Sequence, residues 1–336
     1  MKTLRLVVVD TNADARRQLI EAIEEDADLR VVGEAADADD AAVIVGAERP
    51  DLAVVDVRLP DLRGLEAIDL ILGRHLLPIL AVTAQAGSTR GELIFQAVRR
   101  GAIDVAGKPR TRAEAAALRE QIRRIAAVPV KARLTQSAPM AVYTDLVPDR
   151  RATPSGRRVV AIAASAGGPR AVASILAALP DTFAAAVIVV QHLPAGFAKP
   201  FARYLKGQTR LPVTHVEDSV FLEPARVFVA PDDHPVTVTA GERLVVLDAG
   251  QHRPADVLFR SLADHLGPAA IGVVLSGIGN DGTEGLLALR ARGALTIAQD
   301  ETTAIVDGMP RAARDADAAE QILSLPAIAP LLLKMV

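Results

Sequence analysis

The sequence contains no cysteine and no tryptophan, and its only aromatic residues are seven Phe and two Tyr among 336 residues. Without cysteine there can be no disulfide, no thiolate zinc site and no cysteine nucleophile, a usage that fits a reducing compartment. With so few rings, the cores must be assembled from Ala, Val, Leu and Ile; half the chain is apolar, which is enough to do so. No apolar run reaches the roughly 18 residues of a membrane span. The opening "MKTLRLVVVD" is too short, and turns acidic too soon, for a secretion signal. A formal net charge of −3 offers no field to a polyanion. The expectation is a cytoplasmic protein with no nucleic-acid partner and no direct membrane insertion.

What is present is alternation. "LRLVVVD", "RVVGEA", "DLAVVDV", "PILAVTA" and "AIDVAGK" read as strands, and helical patterns follow each. Such βα repeats imply right-handed crossovers and a parallel sheet covered on both faces. From about Val128 to Arg158 the pattern lapses into scattered Pro, Ser and Thr. It restarts at Val159, with strands expected at 159–164, 187–191, 226–230, 271–276 and 294–298. A β-hairpin is expected around Ala240-Gly241. The chain therefore divides into a domain over 1–125, a linker over 126–157 and a second domain over 158–336, both domains α/β with doubly wound parallel sheets.

Four residues of the first domain fall at strand ends: Asp10, Asp56, Thr83 and Lys108, the last followed by Pro109. In a parallel sheet these share the carboxyl edge, where ligands bind. Carboxylates beside a Lys and a Thr suit a hard cation and a phosphoryl group, with Asp56 as acceptor. Taken singly, each Asp could simply cap the next helix. The set, in "VVVDTNADARR", "DVRLPDLRGLE", "VTA" and "GAIDVAGKP", resembles the receiver domain of two-component response regulators. The resemblance implies a flavodoxin-like fold, Asp56 as phosphoacceptor, a histidine kinase as phosphodonor, and Mg²⁺ held by Asp10 and Asp56. The sequence departs from the pattern twice. Thr11 stands where a second acid is usual, and only Val105 stands near the usual aromatic. Both changes weaken metal-dependent phosphorylation and its readout. Asp14 lies close by but belongs to the first helical turn.

In the second domain "VVAIAASAGGPRAVASILAALP" ends a strand at one serine, Ser165, and opens a helix through Gly167, Gly168 and Pro169. Free backbone N–H groups and a helix N-terminus at such a turn stabilise an oxyanion, or equally a phosphate. The G-x-G-x-x-G spacing of a dinucleotide turn is absent. "AVIVVQHLP" places His192 past the next strand, and "VLSGIGNDGTEGL" places Asp281 in a loop before a helix it could also cap. A serine nucleophile needs a base, and the base needs an orienting acid. Taken alone, His192 reads as a partly buried histidine bonded to a backbone carbonyl. His252, with Arg253 and Asp256, shapes the cleft or holds a loop; His215, His234 and His265 match no motif, and Ser276 sits on the Asp281 loop.

With "HRPADVLFRSLA" and "TIAQDETTAIVDGMPRAA", these motifs resemble the catalytic domain of the chemotaxis protein-glutamate methylesterases. The resemblance spans nearly all of residues 157–325 and implies a Rossmann-like fold. It makes Ser165 the nucleophile, His192 the base, Asp281 the orienting acid, and the backbone amides of Ala166 and Ile278 the oxyanion hole. Ile278 replaces the usual Met, and Ala163 and Ala166 replace the usual Gly and Thr, which removes a hydroxyl beside the nucleophile. The implied activity is methyl ester hydrolysis, with glutamine deamidation, on methyl-accepting chemotaxis receptors, with no cofactor for the ester chemistry. The alternative is a non-enzymatic signalling scaffold with a degenerate receiver.

Overall fold

The computed structural model describes residues 3–58, 63–84, 92–127, 158–232, 234–250 and 253–336. The chain divides into two compact units, Met1–Lys131 and Ala132–Val336. The expected linker lies outside the described residues from 128 onward, and His252 lies outside them too.

The first unit alternates strands β1 (Leu4–Val9), β2 (Leu29–Ala35), β3 (Leu52–Asp56), β4 (Ile79–Thr83) and β5 (Asp104–Gly107) with helices α1 (Ala13–Glu24), α2 (Ala38–Glu48), α3 (Arg63–Arg74), α4 (Glu92–Arg99) and α5 (Arg112–Ala126). Helix α5 thus runs one residue past the expected domain boundary at 125. The sheet is parallel in the order β2-β1-β3-β4-β5. Its central strands β3 and β4, and β1 from Leu6 onward, are buried on both faces, as a helix-covered parallel sheet requires, while the edge strand β2 is partly exposed. Helix starts are chemically marked. Asn12 accepts from the Ala15 N–H, Asp37 accepts from the Asp40 N–H, and Thr111 forms a capping box with Glu114. The chain reverses direction across the sheet between β1 and β3, so the crevice opens at the carboxyl ends of those two strands, beside Asp10 and Asp56.

The second unit carries β6 (Arg158–Ala164), α6 (Gly168–Ala177), β7 (Ala185–Gln191), α7 (Ala198–Lys206), β8 (Val213–His215), β9 (Ser219–Phe221), β10 (Arg226–Val229), β11 (Val236–Val238), β12 (Arg243–Val246), α8 (Pro254–His265), β13 (Ala270–Val274), α9 (Thr283–Ala291), β14 (Leu295–Gln299), α10 (Gly308–Asp315), β15 (Gln321–Leu323) and α11 (Leu325–Met335). Seven strands form a parallel sheet in the order β15-β14-β13-β6-β7-β10-β8, and β11-β12-β9 form a small antiparallel sheet. The expected hairpin is the β11–β12 pair. The scarce rings are spent on packing: Phe95 in the first unit and Phe183, Phe197, Phe201, Phe228 and Phe259 in the second are buried, and Phe221 is exposed beneath Arg243. The switch point here lies between β6 and β13, whose carboxyl ends carry Ser165 and the 276–281 loop.

Candidate active site

Strands β6 and β7 pair in register with Ala164 opposite Gln191. Ser165 and His192 are therefore the next residues along two adjacent strands, whose axes run about 4.8 Å apart. The ladder ends with the His192 N–H donating to Ala164 O at 2.9 Å. At Ser165 the chain turns sharply. Its N–H donates to Ser276 O at 3.0 Å, and its carbonyl accepts the Gly168 N–H at 2.8 Å. Gly167 caps α6 at φ 75°, in the left-handed region. A Cβ there would also lie 2.6 Å from Ser276 Oγ, so glycine is required by conformation and by space. Pro169 opens the helix, and the positive end of α6 lies behind the serine.

The loop after β13 closes against this turn. A Cβ on Gly277 would come 2.9 Å from Ser165 Cβ and 2.3 Å from Met309 Sδ. Ser276 Oγ donates to Ala166 O at 2.8 Å and accepts the Val306 N–H at 2.9 Å, fixing the Ser165 turn from the opposite side to β7. The Gly277 N–H is taken by Val306 O. The N–H groups of Ala166 and Ile278 have no acceptor among the described residues.

His192 Nε2 meets Asp281 Oδ2 at 2.8 Å. With Nε2–H donated to a carboxylate, the ring's lone pair sits on Nδ1, the nitrogen left for a serine proton; chymotrypsin-type triads use the two nitrogens the other way round. Among the described residues no hydrogen bond joins Ser165 Oγ to the imidazole; such bonds often tighten only when substrate is bound. Asp281 does not cap α9, whose cap is Gly282 at φ 91°. It sits instead at the start of α8, where Oδ2 accepts the Ala255 N–H and Oδ1 the Asp256 N–H, both at 3.0 Å. Burial pushes Asp281 upward. The hydrogen bond and charge of His192 and these two N–H groups outweigh it, so the carboxyl titrates below its ordinary 3.8.

Arg253 holds the loop, the second of its two expected roles. Its guanidinium bonds Asn280 O, Asn280 Oδ1 (3.0 Å) and Glu284 Oε1 (3.3 Å), and contacts Asp256 Oδ2 at 3.0 Å. Asp256 is raised, chiefly by burial and in part by Asp281, against the Gly285 N–H and Arg253 that stabilise its charge. His215 ends β8 and His265 ends α8, both away from the Ser165 turn in the sequence of elements.

In the first unit Asp10, Asp56 and Thr83 are buried at one sheet edge, and Lys108 Nζ pairs with both carboxylates. The other oxygens accept backbone N–H groups, Asp10 Oδ1 from Asn12 at 3.0 Å and Asp56 Oδ1 from Arg58 at 2.7 Å. Thr11 is exposed, Asp14 is exposed and paired with Arg17, and Val105 is buried in β5. No group of three acidic or His side chains able to hold a metal ion occurs among the described residues. Two carboxylates facing one ammonium leave one net negative charge. These oxygens, with water, fit Mg²⁺, which accepts one or two carboxylates, but with less charge than three acids would supply.

Gln191 was not singled out from the sequence, and Ser276 was placed on the Asp281 loop without its bonds to the Ser165 turn. The available signal for Gln191 was a lone amide ending the otherwise apolar β7, directly before His192.

Residues 160–332 match the CheB methylesterase family and residues 6–120 the response regulator receiver domain. The chain is 38% identical over 333 residues to protein-glutamate methylesterase/protein-glutamine glutaminase 3 of Anaeromyxobacter dehalogenans (strain 2CP-C), covering 97% of each. It is 37% identical over 337 residues to protein-glutamate methylesterase/protein-glutamine glutaminase 1 of Caulobacter vibrioides, covering 97% of this chain and 96% of that one. Among solved structures, the CheB methylesterase catalytic domain of Thermotoga maritima aligns with a TM-score of 0.52 and 33% identity, over 54% of this chain and 100% of that one. No described helix is long and apolar enough to cross a membrane. The chain belongs to the CheB methylesterase family, with a receiver domain ahead of the methylesterase domain.

Proposed function

We propose that the second unit hydrolyses the γ-methyl esters of glutamates on methyl-accepting chemotaxis receptors, and deamidates receptor glutamines at the same centre. The observation that carries this reading is the 2.8 Å His192–Asp281 bond, with Ser165 and His192 each one residue past the ends of two paired strands. His192 Nδ1 takes the Ser165 proton as Oγ attacks the ester carbonyl. The N–H groups of Ala166 and Ile278 hold the oxyanion, an interaction worth about 10²–10³ in rate per donor in comparable sites. Asp281 stabilises the imidazolium, which then protonates the departing methoxide. Water, deprotonated by His192, hydrolyses the acyl-enzyme to glutamate. For glutamine the leaving group is ammonia. Family membership and the His192–Asp281 pair beside the Ser165 turn weigh against a non-enzymatic scaffold.

The receiver reading is that Asp56 accepts a phosphoryl group from a histidine kinase and that this regulates the esterase. Asp10 and Asp56 would hold Mg²⁺, which when bound neutralises the oxygens of the transferred group. Lys108 supplies a second positive charge beside both carboxylates. With Thr11 contributing no charge, Mg²⁺ binding is weak and phosphorylation slow. The function is tested by peptide mass spectrometry of methylated receptor incubated with the full chain. Methylated glutamates are expected to lose one methylene mass, and glutamines to become glutamates. Receptor peptides left unchanged by folded protein contradict the reading.

A further inference from the structure

Gln191 is the last residue of β7, and it is buried at 5% exposure. Its side-chain Nε2 donates to Ser165 O at 2.7 Å and to His192 O at 3.1 Å. One amide thus joins the backbone of the residue after β6 to that of the residue after β7, where the ladder between the two strands stops. The orientation of the amide is fixed by its neighbours. Turning it over would set Oε1 against two carbonyl oxygens, which cannot donate.

Two further observations separate this from ordinary core packing. Gln191 Oε1 is buried with no hydrogen-bond partner, so the fold tolerates an unsatisfied acceptor in order to keep the donor in place. Helix α6 also makes room for it: a Cβ on Gly168 would fall 2.3 Å from that oxygen. Ser165 O accepts the Gly168 N–H as well, so Gln191 bonds the same carbonyl that closes the turn of the nucleophile.

We infer that Gln191 is a positioning residue for the reaction, a bracket whose single amide sets the distance and angle between Ser165 and His192. It touches neither substrate nor a reacting atom. It acts through the two backbone carbonyls, holding the Ser165 turn and the His192 backbone in fixed register. The inference rests on the reading of these residues as nucleophile and base. A displacement of about 1 Å between reacting groups costs on the order of 10²-fold in rate, which sets the scale expected when the bracket is removed.

The test uses the full chain with Gln191→Met, which keeps the length and loses the donor, and Gln191→Glu, which keeps the shape and faces a carboxyl toward two carbonyls. Each is compared with wild type and with Ser165→Ala, well below its own Tm. The readouts are kcat and KM on methylated receptor and the rate at which diisopropyl fluorophosphate labels Ser165. The expected result is a fall in kcat of roughly 10²-fold with KM within about twofold, and a parallel fall in labelling rate, since transfer of the diisopropylphosphoryl group to Oγ, with loss of fluoride, uses the same nucleophile and base. Of the two, Gln191→Met alone suffices if Gln191→Glu does not fold. Wild-type kcat and labelling in either folded variant overturns the inference. So does a change confined to KM or to Tm. If Ser165→Ala itself keeps full activity, the nucleophile assignment fails instead, and the two failures are told apart.

Discussion

Replacing Asp281 by Asn separates the two things this carboxylate does. It holds His192 Nε2 at 2.8 Å, and it receives the Ala255 and Asp256 N–H groups at the start of α8. An Asn can satisfy only part of this. If its carbonyl oxygen faces His192 and Ala255, the tautomer survives, but the amide N–H₂ then opposes the Asp256 N–H. If its N–H₂ faces His192, Nε2 must accept, the proton moves to Nδ1, and the base has no lone pair for Ser165. The first orientation loses only the negative charge beside the imidazolium, a loss of about 10²-fold if the charge is worth some 3 kcal/mol in the transition state. The second approaches the roughly 10⁴-fold loss of a wrong tautomer. The expected fall in kcat on methylated receptor is therefore between about 10² and 10⁴. One unsatisfied N–H costs about 1–3 kcal/mol of stability in either case, so thermal unfolding is measured alongside and kcat is taken well below Tm. A folded Asp281→Asn variant within about threefold of wild-type kcat would refute the reasoning and leave Asp281 only as a ligand of the α8 N-terminus.

Thr11→Asp adds a third acid beside Asp10 and Asp56, so Mg²⁺ titration is expected to show tighter binding than wild type; equal affinities would mean that another group already replaces the missing charge. A fragment beginning near Ser155 is expected to hydrolyse receptor esters faster than the full chain if the unphosphorylated receiver restrains the esterase, and equal rates would show no restraint. Burial raises Asp104 from 3.8 to about 6, against hydrogen bonds from Gln121 and the Val105 N–H. Because its folded value lies above its unfolded one, its contribution to stability is fully present below about pH 3.8 and is lost as pH rises through about 6, roughly 3 kcal/mol in all. A ¹³C carboxyl titration is expected to place the midpoint of Asp104 near 6, and a midpoint at or below 4 would contradict this.

Much of this was legible in the sequence because the strands are long runs of buried β-branched residues. In a parallel sheet the residue after each strand falls at one edge. That is why Ser165 and His192, each one step beyond a strand end, could be paired across 27 positions, and why Asp10, Asp56 and Lys108 could be grouped. Strands β8 and β15 have three residues each, too few to show a period, so the two edges of the seven-stranded sheet were not read, nor was β9 of the small sheet. Asp281 was placed in the loop after β13, but sequence order made it a neighbour of α9, while tertiary packing made it a ligand of α8. The ring nitrogen facing the acid, and the cross-links from Gln191 and Ser276, depend on side-chain direction at strand ends, which periodicity does not encode.

The central claim is that Ser165 is the nucleophile of an ester hydrolysis, and the most direct measurement is methanol release from methylated receptor by wild type and by Ser165→Ala. Alanine fits the same turn, so Tm is expected to hold. Turnover is expected to fall to the level supported by the oxyanion amides and substrate binding alone, about 10³–10⁴ above the uncatalysed reaction. A folded Ser165→Ala protein releasing methanol at a near wild-type rate would contradict the account.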